Sequence, residues 1–311
     1  MRAFVFPGQG SQKVGMGREL AEASAAAREV FGEVDEALAD HLTRTMFEGP
    51  EDELTLTANA QPAIMAHSLA VLAVLEQEGG MRIADKANAV AGHSLAESSA
   101  ICASGGFRLH DSARLLRLRG TAMQEAVPVG EGAMCALLGA DLDKAQNLAE
   151  AAAEGEVCEV ANDNDPGQVV LSGHAAAIDR AIARAKDHGI KRGVKLPVSA
   201  PFHSSLMQPA ADAMDGALER TPPHALHLPL YANVTAALET DPPRIRKLLV
   251  DQITGRVRWR ESVQAMAEAG VTHFVEIGGK VLGPMIGRTV KDVEVTSVVT
   301  MADIEALAKG I

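Results

Sequence analysis

The chain has 311 residues, room for about two domains or for one large domain carrying an insertion. Hydrophobic residues make up 47% and charged residues 23%, which excludes a disordered chain. The formal charge of −12, from 29 Lys and Arg against 41 Asp and Glu, argues against a nucleic-acid binder, which needs a basic surface to neutralise phosphates.

Ala3 to Phe6 is a short apolar run stopped by Pro7-Gly8, so it reads as a buried strand entering a glycine-rich loop. Residues 18–40 and 59–78 are rich in Ala, Leu and Glu and read as helices. Asn88 to Ala91 is a strand before Gly92, and Leu95 to Ala103 a helix ending near Gly105-Gly106. Asp111 is placed as the N-cap of a helix that ends at Arg119-Gly120 or continues to Met123.

The texture then changes. Ala133–Leu138 reads as a strand, Asp141–Ala153 as a helix, and Glu156–Ala161 and Gln168–Ser172 as strands joined by a turn over residues 162–167. Ala175–Lys186 is a helix and Lys191–Leu196 a strand. That β-α-β-β-α-β order is ferredoxin-like, and it predicts an inserted unit over 127–198 within a larger domain formed by 1–126 and 199–311. Helices at Gln208–Leu218, Arg244–Gln252 and Glu261–Ala269 alternate with strands at Leu228–Ala232 and Thr272–Ile277. The alternation predicts an α/β domain with a mostly parallel sheet covered on both faces.

Three cysteines, Cys102, Cys135 and Cys158, are far apart and form no CxxC pair, so neither a disulfide framework nor a zinc site is expected. The longest apolar run, Ala63 to Leu75, falls short of the ~20 residues of a bilayer span. The N-terminus lacks a signal-peptide core. A soluble cytoplasmic protein is expected, with no membrane and no nucleic acid among its partners.

Four segments carry chemistry. In Val90-Ala91-Gly92-His93-Ser94-Leu95-Ala96-Glu97 a strand feeds a glycine, a serine sits at the turn and a helix follows. This is the setting of a nucleophile elbow, with Ala96 in place of the last Gly of G-x-S-x-G. The alternative is a serine that caps a helix. His203, in Pro201-Phe202-His203-Ser204, is a candidate base at a strand end, but it is one of ten histidines. His93 is adjacent to Ser94 and is expected to point elsewhere. The loop Pro7-Gly8-Gln9-Gly10-Ser11-Gln12-Lys13 fails both phosphate-loop fingerprints. It reads as a glycine turn or as backbone approaching a site. Arg114, Arg117 and Arg119 share one segment and on composition alone serve solvent or the helix dipole.

Taken together, F-P-G-Q-G-S-Q, G-H-S-L-x-E, R-G-x-x-M-Q at 119–124 and P-F-H-S at 201–204 resemble the malonyl-CoA:acyl carrier protein transacylases in order and spacing over essentially the whole chain. Residues 162–170 and 275–282 add to the resemblance. It implies a hydrolase-like α/β fold with a ferredoxin-like insert. It implies Ser94 as nucleophile, His203 as base and Gln252 as the residue whose backbone carbonyl orients that base. It also implies Gln9 and Leu95 as backbone donors to an oxyanion, and Arg119 as the malonyl carboxylate site. The substrates implied are malonyl-CoA and acyl carrier protein, with no cofactor and no metal, acting on a monomer. Ser98-Ser99, bulkier in the family, is expected to widen the floor of the site. Phe202 is expected to crowd the malonyl C2. Lys191, Arg192 and Lys195, and Arg256, Arg258 and Arg260, are the basic stretches expected to meet an acidic carrier.

Two rival readings remain at this stage. A serine esterase or thioesterase would place an acid behind His203, with Asp165 or Asp179 as candidates. A nucleotide-binding module would use the glycine loop at 7–17.

Overall fold

The structure, a computed structural model, describes residues 1–198 and 200–311. Its strands are β1 (Arg2–Phe6), β2 (Ala89–Gly92), β3 (Gly132–Leu138), β4 (Cys158–Asp165), β5 (Gln168–His174), β6 (Arg192–Lys195), β7 (Leu230–Ala232), β8 (Ala237–Glu239), β9 (His273–Ile277) and β10 (Glu294–Val298). Six of them form a sheet in the order β10-β9-β1-β2-β7-β8. It is parallel except for the edge hairpin of β7 and β8. The α/β architecture expected from the alternation is present.

The short apolar runs are explained by burial on both faces. Along β1, Phe4 and Phe6 enter the larger core, while Ala3 and Val5 point to the opposite face and pack with Tyr231, Trp259 and Phe274. The helix Thr57–Gln77 lies in the larger core. By length and composition it could cross a bilayer, yet 83% of its most apolar window is buried inside the protein.

The second sheet has the order β4-β5-β3-β6 and is antiparallel throughout. With the helices Leu142–Ala153 and Ala175–Arg184 on one face it has its own core, built from Ala, Val, Leu, Ile and Cys. Asp141 caps the first of these helices by accepting from Lys144 N at 2.9 Å. The strand order is the ferredoxin-like one. The boundary expected between 198 and 199 falls on Ser199, which lies outside the described residues.

Four sequence expectations are corrected. The segment 162–167 is largely strand: β4 runs to Asp165, and only Pro166-Gly167 make the turn. Its polar residues are spent on the larger domain. Asp163 is buried against Arg260, at 2.7 Å, and Asp165 against Arg288, at 2.8 Å. Backbone bonds from Asp163 N to Val257 O and from Val257 N to Ala161 O, 2.9 and 2.8 Å, add a strand-like seam. Second, Asp111 lies in the first turn of a helix that begins at Leu109, after Arg108, so it serves the helix dipole and does not cap. Third, that helix does not stop at Gly120 but runs to Glu125. Gly120 allows a close crossing, since a Cβ there would sit 2.5 Å from Thr57 O. Fourth, the region 18–40 is two helices, Arg18–Ala23 and Ala25–Leu38, divided where Ser24 accepts from Ala27 N. The C-terminal elements Leu282–Thr289, β10 and Met301–Gly310 were not anticipated. Glycines and short runs break their periodicity.

Candidate active site

Loops at the carboxyl ends of β1, β2 and β7 meet at one point, where parallel sheets commonly bind ligands. The loop after β2 is a strained turn. Ser94 has φ 55°, a left-handed conformation that costs about 1–3 kcal/mol outside glycine. Gly92 cannot be replaced, because a Cβ there would fall 1.8 Å from Ala96 O. The departure at Ala96 is accommodated because it is an ordinary, fully buried helical position. The turn lifts Ser94 Oγ to 2.6 Å from His203 Nε2.

His203 is brought from the segment before the short helix Ser205–Met207 and also has positive φ, 55°. Its Nδ1 lies 2.8 Å from the Gln252 backbone oxygen. A carbonyl only accepts, so Nδ1 carries the proton and Nε2 presents its lone pair to the serine hydroxyl. Burial, and then the Arg119 cation, push the imidazole down to about 3, with the Gln252 carbonyl pulling the other way. It is therefore neutral, and a base, across the physiological range.

Arg119 is 4% exposed. Its Nη1 donates to Gln61 Oε1 at 2.8 Å, and its Nη2 donates to Gln252 Oε1 at 2.8 Å and to Ser94 Oγ at 3.2 Å. Burial lowers its pKa to about 10, so it stays charged at neutral pH. A cavity of about 250 Å³ opens beside these groups. It is lined by Gln9, Ser94, Leu95, Arg119 and His203, with Met123, Met134, Leu196 and Phe202 as apolar walls. Among the described residues, neither the Gln9 nor the Leu95 backbone N–H donates to another protein group. Both residues line the cavity that holds Ser94 Oγ.

All six residues singled out from the sequence, Gln9, Ser94, Leu95, Arg119, His203 and Gln252, converge here. Other expectations do not hold. Ser98 and Ser99 are buried in the helix Ala96–Ala103 and are absent from the cavity wall. Asp165 and Asp179, the acids of the esterase reading, pair with Arg288 and Lys195 and do not touch His203. Arg256 and Arg258 are paired with Glu261, and Arg260 with Asp163, the three arginines all partly exposed, so the charge of that basic stretch is partly offset by its own carboxylates. His93 does turn its Nε2 away from the serine, to Asn164 Oδ1 at 2.8 Å, and its ring packs edge-on against Trp259.

Sequence reasoning missed Gln61, Asn164 and Asn233, and gave Glu97 no role. Asn233 takes Ser94 N at 2.8 Å, and Glu97 is fully buried beside it. Gln61, Asn164 and Asn233 are uncharged polar residues in ordinary surroundings, so only folding reveals their neighbours. Glu97 carried a signal, an acid inside an apolar helix start.

Comparison with known proteins follows the same lines. The acyl transferase domain family matches residues 3–303. The malonyl CoA-acyl carrier protein transacylase of Bacillus subtilis is 41% identical over 288 residues, covering 92% of this chain and 89% of its own. The crystal structure of an acyl-carrier-protein S-malonyltransferase from Bartonella henselae superposes with a TM-score of 0.97 at 53% identity, covering 100% of this chain and 99% of that one. A malonyl-transacylase solved in complex with its type II PKS acyl-carrier protein gives 0.95 at 37% identity, covering 100% and 99%. The chain belongs to the acyl transferase domain family, among the malonyl CoA-acyl carrier protein transacylases.

Proposed function

We propose that this chain moves a malonyl group from malonyl-CoA to the phosphopantetheine thiol of acyl carrier protein, supplying extender units for fatty acid synthesis. The observation that carries this reading is the shared geometry of Ser94, His203 and Arg119 in one cavity: a nucleophile, its base and a cation that suits a carboxylate.

In this reading His203 Nε2 takes the Ser94 proton as Oγ attacks the thioester carbonyl. The backbone N–H groups of Gln9 and Leu95 receive the tetrahedral oxyanion. The intermediate expels CoA as its thiol, which takes the proton from the imidazolium, and malonyl stays on Ser94 as an ester. The Gln252 carbonyl supports the transient imidazolium in place of the usual carboxylate. The carrier thiol then attacks the ester, and the steps run in reverse, so kinetics should be ping-pong. The guanidinium fork of Arg119 grips the malonyl carboxylate in a bidentate, charge-assisted pair. Phe202 walls the cavity near the acyl group and disfavours a branched C2. No cofactor is needed for these steps, and one chain supplies every group, so a monomer suffices. Three free cysteines suit the reducing cytoplasm.

Lys191 and Arg192 are exposed at the edge of the insert and offer a basic surface to an acidic carrier, while Lys195 is paired with Asp179 at 2.7 Å. Intact-mass spectrometry after mixing with malonyl-CoA, followed by peptide mapping, tests the reading. A malonyl adduct on Ser94 that carrier protein removes is expected. Adduct formation by Ser94→Ala, or hydrolysis as fast as transfer to carrier protein, would overturn it.

A further inference from the structure

Ser94 and Arg119 sit on different elements, and neither side chain fixes its own position. Behind them lies a buried set of hydrogen bonds outside the cavity wall. The Asn233 side chain spans the elbow from the next strand loop. Its Oδ1 accepts from Ser94 N at 2.8 Å, and its Nδ2 donates to Gly92 O at 2.8 Å. One amide therefore satisfies both sides of the strained residue, as a paired strand would, although β7 has already ended at Ala232. Asn233 is itself held. Its backbone N–H donates to Glu97 Oε1 at 3.1 Å.

The other Glu97 oxygen accepts from Gln252 Nε2, which also donates to Ser94 O at 3.0 Å. Both donors of that amide point to the elbow, so its oxygen faces the other way and accepts from Arg119 Nη2 at 2.8 Å. If the amide were reversed, Gln252 would set an N–H against a cation and an oxygen against the Ser94 carbonyl. Glu97, together with Ser94 O and Asn233 Oδ1, thus sets the direction of the amide. Both Glu97 oxygens accept in this arrangement, as an ionised carboxylate does and a carboxamide cannot; burial raises its pKa to about 8, so the role is filled in full above that pH. Glu97 and Asn233 are both buried, at 1% and 0% exposure, so water does not substitute for either.

We propose that Asn233 and Glu97 are positioning residues for acyl transfer: Asn233 holds the Ser94 elbow, and Glu97 orients Gln252 so that its amide oxygen steers Arg119. This rests on the malonyl-transfer reading for the substrate but not for the nucleophile. The two residues are linked, since Asn233 Oδ1 also accepts from Gln252 Nε2 at 3.2 Å and Glu97 holds the Asn233 N–H, but the largest effect of each falls on a different group. Asn233 governs the reacting oxygen whatever the acyl group. Glu97 governs the cation and hence the carboxylate of the substrate.

The test uses two isosteric variants, Asn233→Asp and Glu97→Gln, each confirmed folded by far-UV circular dichroism and thermal melting. Single-turnover acylation by malonyl-CoA and by acetyl-CoA is measured, with rate constant and amplitude kept apart. Asn233→Asp sets an oxygen against Gly92 O, and should slow acylation by both substrates by roughly a hundredfold, the scale of a small misplacement of reacting groups. Above pH 8, where Glu97 is ionised, Glu97→Gln should raise the malonyl-CoA KM roughly tenfold or more while acetyl-CoA is little affected, as expected for loss of a charge-assisted contact. A merely structural role would lower the amplitude or the melting temperature and leave the rate constants and the malonyl-to-acetyl ratio unchanged; that result overturns the proposal. Labelling of Ser94 by a fluorophosphonate needs no acyl-CoA. A wild-type enzyme that labels normally but takes no malonyl refutes the function reading alone. Equal labelling rates in wild type and Asn233→Asp refute the elbow role itself.

Discussion

The two sheets share one cavity on unequal terms. In the proposed reading the parallel sheet supplies the nucleophile and the backbone donors from loops at the ends of its strands, its flanking helices bring Arg119 and Gln252, and the base stands in the segment that leads from the last strand of the insert, β6, back into the larger domain. The antiparallel insert supplies Met134, Asn162 and Leu196 to the wall, and Asn164 to hold His93. Parallel strands leave their carboxyl ends together at one edge, with strained turns and unpaired N–H groups exposed to a ligand. Antiparallel strands satisfy their own backbone and present side chains. Most reactive groups therefore gather at the first sheet and the covering surface on the second, with His203 at the exit from the insert. The insert is no loose lid, since Asp163–Arg260, Asp165–Arg288 and the Val257 seam fasten it at several points.

If that division is right, substitutions on the parallel sheet should damage chemistry, and those on the insert should change docking only. The largest effect is expected for His203→Ala, with acylation slower by ~10²–10⁴-fold. If His93→Ala is the crippling change instead, the base has been misassigned. Rapid-quench measurement of the malonyl-enzyme distinguishes the two.

Arg119→Ala comes next. Removing one partner of a buried charged pair costs about 3–5 kcal/mol, roughly a hundredfold to several thousandfold in malonyl kcat/KM. Acetyl transfer should be spared or rise, because the cation that acetyl leaves unpaired is gone. Arg119→Lys should fall between, having the charge without the fork. Equal losses for both substrates would show that Arg119 supports the scaffold and does not read the carboxylate.

A smaller effect is expected on the insert. Replacing Lys191 and Arg192 together by Ala should raise the KM for carrier protein severalfold, mostly at low salt, because exposed charges act largely through association. The half-reaction with malonyl-CoA should stay at the wild-type rate. A loss in that half-reaction would break the division between the sheets.

The subtlest difference is in acid. His67, His93 and His203 all belong to the parallel-sheet unit, and burial lowers each below the ordinary 6.5, His67 to about 4 and His203 to about 3. Between those folded values and 6.5 the unfolded chain binds more protons, so stability falls as pH drops. Glu97, raised by burial from 4.5 to about 8, works the opposite way between those two values. His273 of β9 is lowered by burial as well, so Glu97 is one group against four histidines below 6.5 and acts without them above it. The melting temperature should therefore be highest near pH 6.5. Hydrogen exchange at pH 4.5 should open the parallel-sheet unit before β3–β6. An insert that opens first would contradict this.

Much of the molecule was legible from local pattern. Unbroken apolar runs identified the parallel strands because both faces are buried, and Gly92-x-Ser94 identified the elbow because only a glycine tolerates the approach of Ala96 O. The β-α-β-β-α-β order identified the insert. The resemblance singled out the candidate His203 from ten histidines, gave Arg119 a role beyond the helix dipole and brought Gln252 to attention, which composition alone did not. Polar residues whose purpose is a distant partner were misread. Asn162 to Asp165 look like a turn because turns favour such residues, yet they form a strand whose side chains reach His93, Arg260 and Arg288. Arg256, Arg258 and Arg260 look like an unpaired basic surface, yet each is ion-paired with Glu261 or Asp163 at a partly exposed position.

By itself the sequence determined the elements, the strained serine turn and the kind of chemistry, since these follow from periodicity, backbone sterics and side-chain type over a few residues. Tertiary structure alone decided which histidine meets Ser94, which cation lines the cavity and which pair with carboxylates, and that Glu97, Asn233 and Gln252 converge behind the site. Hydrogen bonds and ion pairs of that range join residues up to about 160 positions apart, and their partners are selected by packing, which no local pattern encodes.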